Sequence, residues 1–139
     1  MTETPWSHLI DVPTVVELHD ELIRQFGGRE SGDTAGCVDG ALGAAWNAVS
    51  YQDVDAQDVL VFAGYALFYL ATKNCFTDGN KRTALATALE ILASVSLRVE
   101  ATEDDQVNYM LDVASGKVES AGAVVLWLAP RLAELQATA

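Results

Sequence analysis

The sequence has little positive charge: eight Lys and Arg stand against twenty Asp and Glu, a formal net charge of -12. Binding along a nucleic acid needs a positive surface that replaces condensed counterions, so general nucleic-acid binding is not expected, although a local basic patch is compatible with this charge. Cysteine is also scarce. Cys37 and Cys75 lie too far from other ligand-type pairs for a zinc site, and both are expected as free thiols in a reducing compartment. No uncharged apolar run is long enough to span a bilayer. The longest candidate, Val59 to Ala71, carries Gly64, Tyr65 and Tyr69 and reads as a buried helix, so no membrane partner is expected. Glu3 and Asp11 flank a short apolar patch where a secretory signal would need a basic segment, which leaves a cytoplasmic location as the default. A chain of 139 residues suits one core, and a single domain over 1–139 is expected.

What is present is helical periodicity. Val15, Leu18, Leu22 and Phe26 recur at three- and four-residue steps and predict a helix over 14–26, capped by Asp11 and ended by Gly27-Gly28. The Gly-, Ser- and Asp-rich stretch to Gly36 reads as a loop, and a weaker helix is expected over 40–49 with Leu42, Ala45 and Trp46 inward. The segment 55–73 is the most apolar helix, with Val59, Phe62, Ala66 and Tyr69 on one side and Leu60, Ala63, Leu67 and Leu70 on another. It belongs at the centre of a bundle. A second long helix is expected from Asn80 to Val95 with Leu85, Ala88, Leu89, Ile91 and Leu92 inward. Beyond it, 97–99 suggests a short extended link, and Thr102 caps an acidic helix start that Gly116 stops. A last helix runs over 119–128 or onward to 135, with Pro130 as its end or kink.

Between the two most apolar helices lies Asn74-Cys-Phe-Thr-Asp-Gly-Asn-Lys-Arg-Thr-Ala84. Gly79 permits close backbone approach, and the first amides of the following helix have no intrahelical acceptors and can face phosphate oxygens. Lys81 and Arg82, with Lys73 nearby, gather three of the eight basic residues, and Arg82 offers a planar donor fork. Asn80 either orients the loop or donates to phosphate. Asp78 would repel phosphate by itself, but a bridging Mg2+ removes that objection and makes Asp78 the candidate metal ligand. Phe76 is expected to anchor the loop in the interior rather than stack on a base. The plain alternative is a turn, an N-capped helix and two solvated charges. Placement between two core helices favours a site.

These residues resemble the Fic/Doc superfamily, especially its death-on-curing branch, whose pattern is His-x-Phe-x-Asp-(Gly or Ala)-Asn-Lys-Arg. Phe76, Asp78, Gly79, Asn80, Lys81 and Arg82 match it, and Leu18-His19-Asp20-Glu21-Leu22-Ile23 with Phe26-Gly27-Gly28 is similar to the family's first helix and turn. The likeness extends over about residues 8–135. It implies an all-α, compact Fic/Doc-like domain of about six helices that binds ATP with Mg2+. Asp78 would then hold the metal, Gly79 and Asn80 shape the anion site, and Lys81 and Arg82 bind phosphate. Many Fic proteins transfer AMP to protein hydroxyls, whereas the toxin Doc phosphorylates translation elongation factor Tu. Lys81 and Leu85 replace the Gly and second Arg usual in adenylylating members, which favours the phosphoryl-transfer comparison. An antitoxin partner and an elongation-factor target are implied for an active toxin.

Asn74 departs from the pattern, since the family places its catalytic His there. A carboxamide has no nitrogen that titrates near neutrality, so the general base is missing while the phosphate pocket is kept. Three explanations stay open: a natural pseudoenzyme, an introduced inactivating substitution, or a base from elsewhere in the fold. For the last, His8 lies near the terminus with no evident route to the loop, His19 reads as a packed histidine, and metal coordination would conflict with Asp78 acting as base. Cys75 as a nucleophile has no neighbouring histidine and reads better as a small buried side chain. The competing functions are a Doc-like toxin or toxin-derived protein with impaired transfer, a noncatalytic interaction protein with a retained nucleotide pocket, and an adenylyltransferase.

Overall fold

The computed structural model describes residues 5–49 and 56–135 and is all-α apart from one two-stranded sheet. The six helices among these residues are α1 (Val12–Phe26), α2 (Ala35–Trp46), α3 (Ala56–Lys73), α4 (Asn80–Ala93), α5 (Glu103–Ala114) and α6 (Ala121–Leu128). The strands β1 (Leu97–Val99) and β2 (Leu132–Glu134) pair antiparallel, Arg98 opposite Ala133. The expected start of α3 at Asp55 lies outside the described residues. As its all-round apolar pattern requires, α3 takes the middle and packs against α2, α4, α5 and α6. Val59, Leu60, Phe62, Ala63, Ala66, Leu67 and Leu70 are buried, while Tyr69 is half-buried.

Gly64 sets how closely α6 approaches α3. A Cβ there would lie 2.7 Å from Val125 Cγ2 and 3.2 Å from Val125 N and Cα, so backbone would have to move. Gly64→Ala is therefore expected to destabilise by about 1–3 kcal/mol through overpacking, more than the roughly 0.5–1 kcal/mol that alanine gains in a helix interior. A lowered urea midpoint at unchanged slope checks this, and a raised midpoint would show that α6 shifts at little cost.

Side-chain caps fix several helix starts. Asp11 Oδ1 accepts from Thr14 N at 2.8 Å, Thr102 Oγ1 from Asp105 N at 3.0 Å and Ser120 Oγ from Ala123 N at 3.2 Å. Hydrogen bonding by the Thr14 side chain, then by its amide, holds the Asp11 carboxyl below its usual range. A lowered folded pKa contributes stability above the unfolded value, near 3.8, and loses it as pH falls through the folded value. Asp11→Ala is thus expected to cost about 0.5–2 kcal/mol at pH 7. The difference in Tm from the parent should shrink on acidification below the unfolded value, and a constant difference would contradict the linkage.

Several expectations need correction. Phe26 is 59 % exposed rather than core, because the buried line of α1 runs through Val15 and His19 and the helix has passed the core by its last residue. α2 begins at Ala35, inside the stretch read as a loop; Gly36 and Gly40 face open space, and burial of Val38, Ala41, Leu42 and Ala45 outweighs their poor propensity. α4 ends at Ala93 rather than Val95. Leu89 is only half-buried, and Thr83 and Thr87 share the buried face instead. The last helix starts at Ala121, not 119, and does not reach 135: Pro130 lies in a 3-10 turn at 129–131 and the chain returns as β2.

The cysteines are not free. Cys37 of α2 and Cys75 of the loop after α3 form a disulfide with Cα atoms 5.5 Å apart. The free-thiol reading rested on an assumed compartment, and a sequence separation of 38 concealed two backbones brought within bridging range. No described helix is long and apolar enough to cross a membrane.

Candidate active site

The loop from Asn74 to Gly79 leaves α3 and enters α4, and both ends need left-handed backbone. Asn74 has φ 53° directly after the last residue of α3, a conformation asparagine adopts more readily than most residues. Gly79 has φ 81° at the cap of α4; a Cβ there would lie 3.2 Å from Ile23 Cδ1 and 3.4 Å from His19 Cδ2. Glycine is favoured by the backbone angle, and a Cβ would need the end of the Ile23 side chain to give by a few tenths of an ångström. Thr83 N donates to Gly79 O at 3.0 Å, closing the first turn of α4. The amides of Asn80, Lys81 and Arg82 precede that bond and have no acceptor within the helix.

Asn80 clamps the loop. Its Oδ1 accepts from Phe76 N at 3.0 Å and its Nδ2 donates to Phe76 O at 2.9 Å, which engages both ends of the amide. Phe76 is buried, and its ring stacks on His19 with centroids 3.9 Å apart and planes 8° from parallel. His19 is 1 % exposed and its Nε2 donates to the carbonyl of Asp78 at 2.8 Å; a carbonyl can only accept, so Nε2 carries the hydrogen. Nδ1 lies 3.0 Å from Asp20 Oδ1. Both nitrogens are engaged beneath the loop, as suits a packed histidine and not a base for an external hydroxyl.

Asp78 is held from three directions. Besides the His19 bond to its carbonyl, its Oδ2 accepts from Arg29 N at 2.7 Å and from Arg29 Nε at 3.3 Å. The backbone bond from Arg29, then the side-chain bond, keeps its carboxyl below the usual range. Ser31 Oγ accepts from Thr77 N at 2.9 Å, so the segment after α1 braces the outer side of the loop. Sequence reasoning missed Arg29 and Ser31, which lie 49 and 46 residues from their partners, and no local pattern marks them.

Two spaces meet at the loop crest. A polar recess of about 240 Å3 is lined by Asn74, Thr77, Asp78, Asn80 and Lys81, among others. A larger cleft of about 400 Å3 runs from Lys81 and Arg82 along Leu85 to Val107, Met110 and Leu111 of α5. Gly79, Asn80 and Lys81 border both. The Arg82 guanidinium lies over the Phe26 ring at 4.5 Å, while Lys73 lies over Tyr69 at 5.7 Å and lines neither space. The structure thus brings Asn74, Asp78 and Lys81 together at the start of α4 and leaves Lys73 aside. His8 borders a different recess with Glu90 and Ser94. Glu90 lies ten residues along α4 from Asn80, about 15 Å by helix rise. Cys75, in its disulfide, offers no thiolate.

The Fic/DOC family model matches residues 9–92, more than half of the chain. The chain belongs to the Fic/DOC family. No curated protein is found to be similar to it.

Proposed function

We propose that this chain is a Doc-like member of the family, a toxin or toxin-derived protein built for phosphoryl transfer from ATP to a protein Ser or Thr hydroxyl. As it stands it binds nucleotide better than it turns it over. The observation that carries the reading is the common recess of Asn74, Asp78 and Lys81 at the unpaired amides of α4. The polar recess suits the reacting phosphate and the target hydroxyl, and the apolar wall of Leu85, Met110 and Leu111 suits the nucleoside.

Mg2+ fits the donor set. Both Arg29 bonds to the carboxylate go to Oδ2, and no group of three His, Cys, Asp or Glu able to cage a metal occurs among the described residues. A single carboxylate with phosphate oxygens and water is a common way to hold Mg2+. Asp78 would hold it, and the ion would supply charge neutralisation at the transferred phosphate. Lys81 and the α4 amides would orient the phosphate oxygens.

By resemblance, the target is a translation elongation factor, and an antitoxin would cover the site. Phosphoryl transfer is favoured over AMP transfer because Lys81 and Leu85 stand where adenylylating members usually have Gly and Arg. ATP labelled at the γ- or α-phosphate, supplied to this chain and to Asn74→His with elongation factor Tu, tests the reading. γ-label on the target supports it and α-label replaces it with adenylylation. ATP and Mg2+ that leave Tm unchanged in both chains would remove it, since a ligand of the folded state must raise stability.

A further inference from the structure

We infer that Arg29 is a built-in competitor for the Asp78 carboxylate, setting the Mg2+ concentration at which the site accepts a metal-bound nucleotide. The inference rests on the assignment of Asp78 as the metal ligand. Arg29 contacts Asp78 in two separable ways: its backbone N donates to Oδ2 at 2.7 Å and its guanidinium Nε reaches the same oxygen at 3.3 Å. The backbone bond survives any side-chain change except proline and keeps the carboxylate in place. The guanidinium bond is an ion pair on an exposed side chain, 78 % accessible.

A cation already on Oδ2 acts in opposite senses with and without metal. Without Mg2+, it cancels the charge that Asp78 would otherwise set against the phosphates across the recess. With Mg2+, the ion must displace the guanidinium or share the carboxylate with it, so its apparent affinity is reduced. The compact ammonium of lysine would keep the charge without the planar fork and should behave nearer to the parent.

The test is calorimetric ATP binding to the full chain, its Arg29→Gln and Arg29→Lys variants, and Asp78→Ala, each in EDTA and across a Mg2+ series. For Arg29→Gln, half of the Mg2+ enhancement should be reached at about two- to fivefold lower Mg2+, the span expected for an exposed ion pair. ATP binding in EDTA should weaken, with Tm nearly unchanged. Arg29→Lys should lie between. A loss of ATP affinity by the same factor in EDTA and in saturating Mg2+, or no change in either, overturns the competition. If Asp78→Ala abolishes a Mg2+ response that Arg29→Gln leaves unaltered, only this inference falls. If the parent chain binds ATP without any response to Mg2+, the metal role of Asp78 falls and the inference with it.

Discussion

Asn74→His is expected to raise γ-phosphate transfer by roughly 10²- to 10⁴-fold, the range associated with placing a general base at a reacting hydroxyl. Position 74 has φ 53°, and histidine, like asparagine, tolerates this region better than most residues, so the exchange should not disturb the end of α3. The side chain at 74 is exposed and borders the recess that Asp78 and Lys81 share, and the new imidazole would therefore lie on the reacting side. A surface exchange of this kind should alter stability by less than about 0.5 kcal/mol. Nearly unchanged Tm and ATP affinity, with a large change in turnover, would separate lost chemistry from lost binding. Adding Asp78→Ala to the histidine variant should remove the gain. If the histidine variant binds ATP and labels nothing, the noncatalytic interaction reading replaces the transferase reading.

No other described group stands ready to replace that base. His19 is closest in the fold, yet it is buried, its Nε2 donates to the Asp78 carbonyl, and its ring lies flat on Phe76. His8 is near the opposite end of α4. Taking the proton on Asp78 would be opposed by Arg29, whose hydrogen bonds favour the charged carboxylate.

The helices were legible where apolar spacing and caps agree. Asp11 and Thr102 each accept from an amide three residues on, and the run through Phe62, Ala66 and Leu70 could belong only to a buried helix. The crest of the loop was legible for a related reason: Gly79 and the clamp by Asn80 are local, within four residues of their partners. What supports the crest from below and beside was not. The Cys37–Cys75 bridge, the His19 bond to Asp78 and the Arg29 pair join α1, α2 and the following segment to the loop over 38 to 59 residues. Periodicity carries no record of such pairings. It also ranked Leu89 above Thr83 and Thr87 for burial, whereas the close packing of α4 on α3 and α1 takes small side chains. The Thr83 and Thr87 hydroxyls have no hydrogen-bond partner among the described residues, which no hydropathy pattern would have suggested.

His19→Ala is expected to be the most damaging substitution around the loop at a residue that no ligand would touch. It opens a cavity against Phe76, removes the ring that faces Gly79 and leaves the Asp78 carbonyl without its donor. Large-to-small changes at buried positions cost about 2–5 kcal/mol, and on the order of 3 kcal/mol would lower Tm by roughly 10 °C in a domain of this size. His19→Phe divides that loss. It keeps an aromatic ring for the stack but removes the N–H, so its cost should fall toward the 1–3 kcal/mol or so of a partly buried acceptor left unpaired. Its effect on the site should be proportionally larger, because the lost bond is to the backbone of Asp78 itself. The expected signature is a variant closer to the parent than His19→Ala in Tm, with an ATP affinity in Mg2+ nearly as weak as that of His19→Ala. If His19→Phe matches the parent in ATP affinity, the clamps by Asn80 and Arg29 suffice to hold the loop, and the role of His19 is confined to packing.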